Sequence, residues 1–377
     1  MRIALIGFYS FGNFGDDLMA VLFGTAINQR GDAVRVLGLA DDEARTWQME
    51  SCSTVDALLD DVDALVLGGG GLFVRDPRDG DDTLIRVPPG SRMYQYDESL
   101  ARTAAICAAR GIPMALISVG GGGFRHHPRP AIAELVRVAS LITVRNEADL
   151  AIADFTRASV TYFPDVVLRT AATFERPRVG PGRRRIGIDL HLASAERCAE
   201  LDAILGAVTA SRADIDVVEF DPERADRWPS APCRNKRLGS SSSLYRFGNL
   251  RRDLDFLASL DLVLSTRLHV GVVALSFGVP FFSISGQPKT LTFMQSAGLA
   301  GWCFGSSSDN QRLCSLLGAD TWELGSAQCR LQHMTDASRG HLDSLVAWLD
   351  ARRGDQSTGT IGSAGLSSPT RRSDSPR

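Results

Sequence analysis

Arg267, His269 and Lys289 carry the strongest chemical signal in the sequence, within D-L-V-L-S-T-R-L-H-V-G-V-V-A-L-S-F-G-V-P-F-F-S-I-S-G-Q-P-K from Asp261 onward. A guanidinium, an imidazole and an ammonium held together can bind a small anion and move a proton. The apolar residues 262–264 read as a buried parallel strand, and 270–277 as a helix stopped by Gly278-Val279-Pro280. Residues 281–284 read as a second strand, with Gly286-Gln287-Pro288-Lys289 as the loop after it. All three cations then fall at the carboxyl ends of adjacent strands, where open α/β sheets bind ligands. Lys236 and Lys289 are the lysines of a chain that otherwise uses arginine. Ammonium and guanidinium are not interchangeable ligands, so Lys289 stands out; chance in a short loop is the plainer alternative.

Other strand-to-helix loops are rich in glycine and polar residues. In the first, Gly7-Phe8-Tyr9-Ser10-Phe11-Gly12-Asn13-Phe14-Gly15-Asp16-Asp17, Gly12 and Gly15 offer unusual backbone freedom, and Asn13 and Asp16 can cap the following helix. Its amides could cradle an anion, although the spacing is not that of a dinucleotide loop. Gly69 and Gly70 in one four-glycine run, and Gly121 and Gly122 in another, suggest backbone approaching a ligand. Arg145 ends a strand, as an anion ligand or as a salt-bridge partner of Glu147 or Asp149. Asp165 follows Pro164 in a similar place and suits a turn cap. The adjacent His126 and His127 read as a solvated loop rather than a metal pair. His191 is expected on the cleft side, and His333 and His341 at the surface. Residues 73–98 insert Asp76, Asp79, Asp81, Asp82, Tyr94 and Tyr96, which suit a sugar or a plain solvated loop.

The elements that position these residues alternate between strand and helix. The pattern predicts an α/β protein of two tandem doubly wound parallel-sheet, Rossmann-like domains facing a cleft, with GT-B-like architecture by analogy. Residues 1–176 form the first domain, on the acceptor side, and 185–352 the second, carrying Arg267, His269 and Lys289 on the donor side. Residues 176–185 are the linker, and the Ser-, Gly- and Arg-rich 353–377 a disordered tail. A length of 377 residues and 44% apolar content agree with two soluble domains. No run reaches the length of a membrane span, and the start reads as a strand rather than a leader. Seven scattered cysteines without a C-x-x-C pair point to a reducing cytoplasm and away from zinc. A net charge of −3 gives no nucleic-acid footprint.

Taken together, the motifs resemble the polysaccharide pyruvyltransferase family. The first loop resembles that family's G-x-x-x-x-x-N-x-G-D, Val66-Leu67-Gly68-Gly69-Gly70-Gly71-Leu72 its glycine turn, and Ile142-Thr143-Val144-Arg145-Asn146 its V-R-D/E segment. Phe163-Pro164-Asp165 resembles its next strand end, Arg267-Leu268-His269 its R-x-H, and Ser285-Gly286-Gln287-Pro288-Lys289 its Y-x-x-K loop. Asn146 departs from the usual acid, and Ser285-Gly286-Gln287 from the usual aromatic and acidic residues. The resemblance implies transfer of a pyruvyl group from phosphoenolpyruvate, a co-substrate rather than a cofactor, to two hydroxyls of one sugar. A cyclic ketal forms and phosphate leaves. It implies that Arg267 and Lys289 bind phosphate and carboxylate, that His269 is acid or base, and that Arg145 is a further anion ligand. The amides of Gly12, Gly15, Gly69, Gly70, Gly121, Gly122 and Gly286, with Asn13 and Asp16, complete the donor site. The scheme needs no metal ion. The acceptor would be a glycan or lipid-linked oligosaccharide, reached by transient docking at the inner face of the membrane. The competing readings are a GT-B glycosyltransferase using a nucleotide sugar and a non-catalytic glycan-binding relative. From Ser265 to Asp309 the only acid is Asp309, where a nucleotide-sugar enzyme normally carries acids for the donor.

Overall fold

The computed structural model describes residues 1–11, 13–72, 92–121, 130–175, 182–190, 193–222, 238–239, 243–284 and 287–359. Gly12, Gly122, Gly286, His126, His127, His191, Asp76, Asp79, Asp81 and Asp82 of the insertion, residues 176–181 of the linker and 360–377 of the tail lie outside the described residues.

Short apolar strands alternating with helices build two sheets. The first contains β1 (Arg2–Ile6), β2 (Ala33–Leu37), β3 (Glu50–Cys52), β4 (Ala64–Gly68), β5 (Met114–Val119), β6 (Leu141–Val144) and β7 (Ser159–Tyr162), in the order β3-β2-β1-β4-β5-β6-β7. The second contains β8 (Arg184–Asp189), β9 (Ile215–Asp221), β10 (Ser243–Arg246), β11 (Leu262–Ser265) and β12 (Phe281–Ser283), in the order β10-β9-β8-β11-β12. Every pairing is parallel. The central β4, β5 and β11 are buried throughout, as strands covered on both faces must be. The strand order reverses between β1 and β4 and between β8 and β11, which opens a crevice at the carboxyl end of each sheet. β3 and β10 were not expected from the sequence; both are short edge strands with few apolar residues.

The helix Phe14–Asn28 is buried almost all round because it lies between the two sheets. One apolar cluster runs from Ile3, Leu18 and Phe23 through Val166 to Val263, Val272 and Phe281. The helix Leu268–Ser276 lies directly on β12: a Cβ at Gly271 would sit 2.1 Å from the Phe281 ring.

Three expectations are corrected. The end of the 73–98 insertion is helical, in a helix that runs Arg92–Arg110, and Tyr96 on it is buried against Phe8 with ring centroids 4.3 Å apart, so it cannot stack on a sugar. The last helix runs Gly340–Gly359, past the expected tail boundary at 353, because Arg353 pairs with the buried Asp32. That helix packs on the first sheet: Trp348 Nε1 donates to Ser140 Oγ at 3.0 Å and Arg30 pairs with Asp350 at 2.7 Å. His341 at its start is fully buried, not at the surface, with Nδ1 2.8 Å from Thr143 Oγ1. Gly340 permits this approach, since a Cβ there would lie 2.1 Å from the Phe163 ring.

Candidate active site

On the first-domain side, β6 ends at Val144 and delivers Arg145. Gly120 leaves room for that side chain; a Cβ there would sit 2.9 Å from Arg145 Cγ. The segment after β7 brings Asp165, which accepts from Val167 N at 3.0 Å and so caps the turn Val166–Arg169. Its other oxygen takes Arg145 Nη1 at 2.9 Å. Arg145 therefore pairs with Asp165, not with Glu147 or Asp149. Asp149 instead accepts from Gly121 N at 3.2 Å and from Asn146 Nδ2 at 2.7 Å, so the unusual Asn146 still braces the segment as a donor.

On the second-domain side, the buried Asp189 holds the end of β11. Ser265 and Thr266 hydroxyls donate to it at 2.7 and 3.3 Å, and Ser265 Oγ in turn accepts from Arg267 N at 2.9 Å. Asp189 was not picked out from the sequence; an acid closing the apolar strand Arg185-Ile186-Gly187-Ile188 was the available signal. Arg267 is the N-cap of helix Leu268–Ser276, and Gln287 that of helix Pro288–Ser296, which carries Lys289 in its first turn. Neither N-cap residue makes a side-chain capping bond, and the dipoles of both helices favour an anion at these starts.

The two sides meet at His269. A Cβ at Gly15 would lie 2.1 Å from His269 Nδ1 and 2.3 Å from its Cβ. Gly15 is thus required for space, and its φ is not positive, contrary to the backbone-freedom reading. His269 Nε2 lies 2.8 Å from Arg145 Nη1 and 3.5 Å from Asp165 Oδ2. A guanidinium nitrogen can only donate. His269 Nε2 thus faces a guanidinium donor and a carboxylate acceptor at once, and its tautomer decides which of the two it engages.

The electrostatics follow from burial and from this cluster of cations. Burial pushes the Asp165 carboxyl up, but Arg145 and His269, with the Val167 amide, outweigh it and hold it well below the usual carboxylate range. Asp16 goes the other way: burial raises its pKa and the pull of His269, Arg145, Lys289 and Arg267 only partly offsets this. Lys289 is solvent-accessible at the cleft, yet the surrounding protein and then Arg145 and Arg267 lower its pKa against the pull of Asp16.

The expected amide cradle is largely taken up within the protein. Gly15 N donates to Asn13 Oδ1 at 3.1 Å, Gly69 N to Ile117 O at 2.8 Å and Gly121 N to Asp149. Gly69 and Gly70, with φ of 73° and 87°, turn the chain after β4 and bring Gly70 beside Asp16. Among the described residues no group of three or more His, Cys, Asp or Glu is placed to hold a metal ion, and no helix is long and apolar enough to cross a membrane.

The sequence model of the family described as polysaccharide pyruvyl transferase matches residues 13–288, from the Asn13 cap to the residue before Lys289. The chain belongs to that family. It is a transferase by this membership. No match is found among curated proteins. Solved structures share the fold at low identity. A UDP-N-acetylglucosamine 2-epimerase aligns with a TM-score of 0.60 at 11% identity, over 93% of this chain and 97% of that one. The glycotransferase of kitacinnamycin aligns with a TM-score of 0.56 at 13% identity, over 93% and 98%. The UDP-GlcNAc 2-epimerase from Neisseria meningitidis, bound to UDP-GlcNAc, aligns with a TM-score of 0.54 at 9% identity, over 92% and 100%. This polysaccharide pyruvyl transferase therefore has the two-domain fold of GT-B glycosyltransferases and epimerases.

Proposed function

We propose that the enzyme moves a pyruvyl group from phosphoenolpyruvate onto two hydroxyls of one sugar of a glycan or lipid-linked oligosaccharide, forming a cyclic ketal and releasing phosphate. The observation that carries this reading is the meeting of Arg145, Arg267, His269 and Lys289 at the facing carboxyl ends of the two sheets, beside two helix N-termini without side-chain caps. Phosphoenolpyruvate presents a phosphate and a carboxylate, and each needs a cationic clamp. Arg267 and Lys289, at the two helix starts, suit these anions. Arg145 is a further ligand whose own charge is balanced by Asp165. As phosphate leaves, its charge falls on donors that are already oriented, the arrangement that lowers such barriers most. His269, with Nε2 between Arg145 and Asp165, is the group in this cluster whose chemistry suits a proton transfer.

The structural relatives include nucleotide-sugar enzymes, but an identity of 13% or less carries the fold and not the ligand. The absence of acids between Ser265 and Asp309 disfavours a nucleotide sugar here. Thermal unfolding separates the readings: phosphoenolpyruvate should raise the melting temperature and UDP-sugars should not. The reverse pattern would defeat the proposal.

A further inference from the structure

His269 stands where Arg145 and Asp165 meet, and a separate carboxyl in the cleft is placed to protonate the methylene carbon of phosphoenolpyruvate. Asp16 stands in the first turn of helix Phe14–Asn28 and is only 7% exposed. Its neighbour Gly15 packs on the His269 ring, and its Oδ1 lies 3.2 Å from the Cβ position of Gly70. The side chain takes no hydrogen bond from any described residue. Asp165 is tied to Arg145, Val167 and the His269 edge, and Asp189 holds Ser265 and Thr266. Asp16, by contrast, is a buried carboxyl that takes no hydrogen bond among the described residues, close enough to His269, Arg145, Lys289 and Arg267 to feel their charge and to Tyr9 to act on it.

We propose that phosphoenolpyruvate binds together with a proton on Asp16, and that Asp16 delivers this proton to the methylene carbon. The inference rests on the pyruvyl-transfer reading. A dianionic phosphate and a carboxylate entering this cleft sit beside Asp16, and two like charges at close range force one acid to keep its proton. Burial already favours that form in the free protein.

The step balances. The Asp16 O–H bond breaks, its proton forms a C–H bond at the methylene carbon, and the former double-bond pair leaves the central carbon oxocarbenium-like. A sugar hydroxyl oxygen bonds to that carbon, and its proton returns to the Asp16 carboxylate. The second hydroxyl then bonds to the same carbon while the carbon–oxygen bond to phosphate breaks, the electron pair leaving with phosphate. Its proton passes through His269 to the departing phosphate. The methyl group gains one proton, phosphate the other, and Asp16 is restored.

The test needs only phosphoenolpyruvate. Its binding to wild type and to Asp16→Asn is followed by titration calorimetry in buffers of different ionisation enthalpy, from about pH 6 to pH 9, which counts protons taken up on binding. The phosphate of the ligand and every other ionisable group of the cleft are common to both proteins, so the difference isolates Asp16. Wild type should take up as much as about one proton more than the variant at its maximum. Asp16→Asn, which removes a negative charge, should bind phosphoenolpyruvate at least as tightly, and more tightly at the alkaline end. A merely structural Asp16 would instead weaken binding on substitution. Equal proton counts at every pH, or weaker binding by the variant throughout, overturn the proposal while leaving pyruvyl transfer standing. Failure of wild type itself to bind phosphoenolpyruvate overturns both, and is recognised by the wild-type titration alone.

Discussion

Replacing Gly15 by alanine tests whether the two domains meet in the geometry seen at His269. The added methyl would lie 2.1, 2.3 and 2.4 Å from His269 Nδ1, Cβ and Cγ. Restoring ordinary contact requires the ring and the start of its helix to retreat by more than about 1 Å. Such a retreat breaks the 2.8 Å contact between His269 and Arg145. A misplacement of about 1 Å at a reacting group costs about 10²-fold in rate, equivalent to about 2.7 kcal/mol of transition-state stabilisation. Stability should respond less, because alanine in a helix gains about 1 kcal/mol over glycine while overpacking costs about 1–3 kcal/mol. Gly206→Ala is the control: it lies within helix Ala195–Ser211 and its methyl meets nothing within 4 Å, so it should stabilise without touching activity. The assay is phosphate release from phosphoenolpyruvate with an acceptor that supports wild type, beside thermal unfolding of all three proteins. If Gly15→Ala kept activity within about threefold of wild type, the close packing of His269 on the first domain would not matter to the reaction.

Three further outcomes follow from buried polar groups. Burial lowers the His341 pKa from 6.5 to about 4, so the folded protein binds fewer protons than the unfolded chain between these values. Stability should fall as pH drops through that window, by up to about 3 kcal/mol, and His341→Gln should flatten this part of the profile; parallel denaturation profiles would contradict it. Asp165→Asn leaves Arg145 unpaired in a buried setting and should cost about 3–5 kcal/mol in urea unfolding, whereas a loss below about 1 kcal/mol would show that Arg145 finds other compensation. Glu43 accepts Leu250 N at 2.9 Å and Trp47 Nε1 at 3.2 Å, linking a first-domain helix to the start of a second-domain one. Glu43→Ala should lose about 1–3 kcal/mol, and an unchanged midpoint would remove it as a domain tie.

Much of this architecture is legible in the sequence because buried parallel strands announce themselves as continuous apolar runs. Residues 262–264 and 281–284 were readable as strands, and the helix between them followed from its glycine and proline stop. Edge strands such as β3 and β10 bury less and carry no such pattern. The sites reached by strand ends were equally legible, since Arg145, Arg267, His269 and Lys289 each follow a strong strand. Partners distant in sequence were not. That Arg145 would choose Asp165 over the nearer Glu147 and Asp149 depends on the tertiary approach of two segments, which no local spacing encodes. Gly15 was noticed for the wrong reason: backbone freedom was inferred, whereas the pressure comes from a ring on the other domain. His341 looked superficial because its own helix reads as polar, and its burial comes from packing on Thr143 of β6 and on Phe163 after β7.

The central claim is tested most directly by incubating the enzyme with phosphoenolpyruvate and a panel of glycan acceptors, and measuring released phosphate and the ketal methyl signal by NMR. Wild type should release phosphate only with an acceptor, one per ketal formed, and Arg267→Ala and His269→Ala should each lose both signals. Phosphate release without ketal formation, or acceptor-dependent turnover of a UDP-sugar with no binding of phosphoenolpyruvate, would contradict the account.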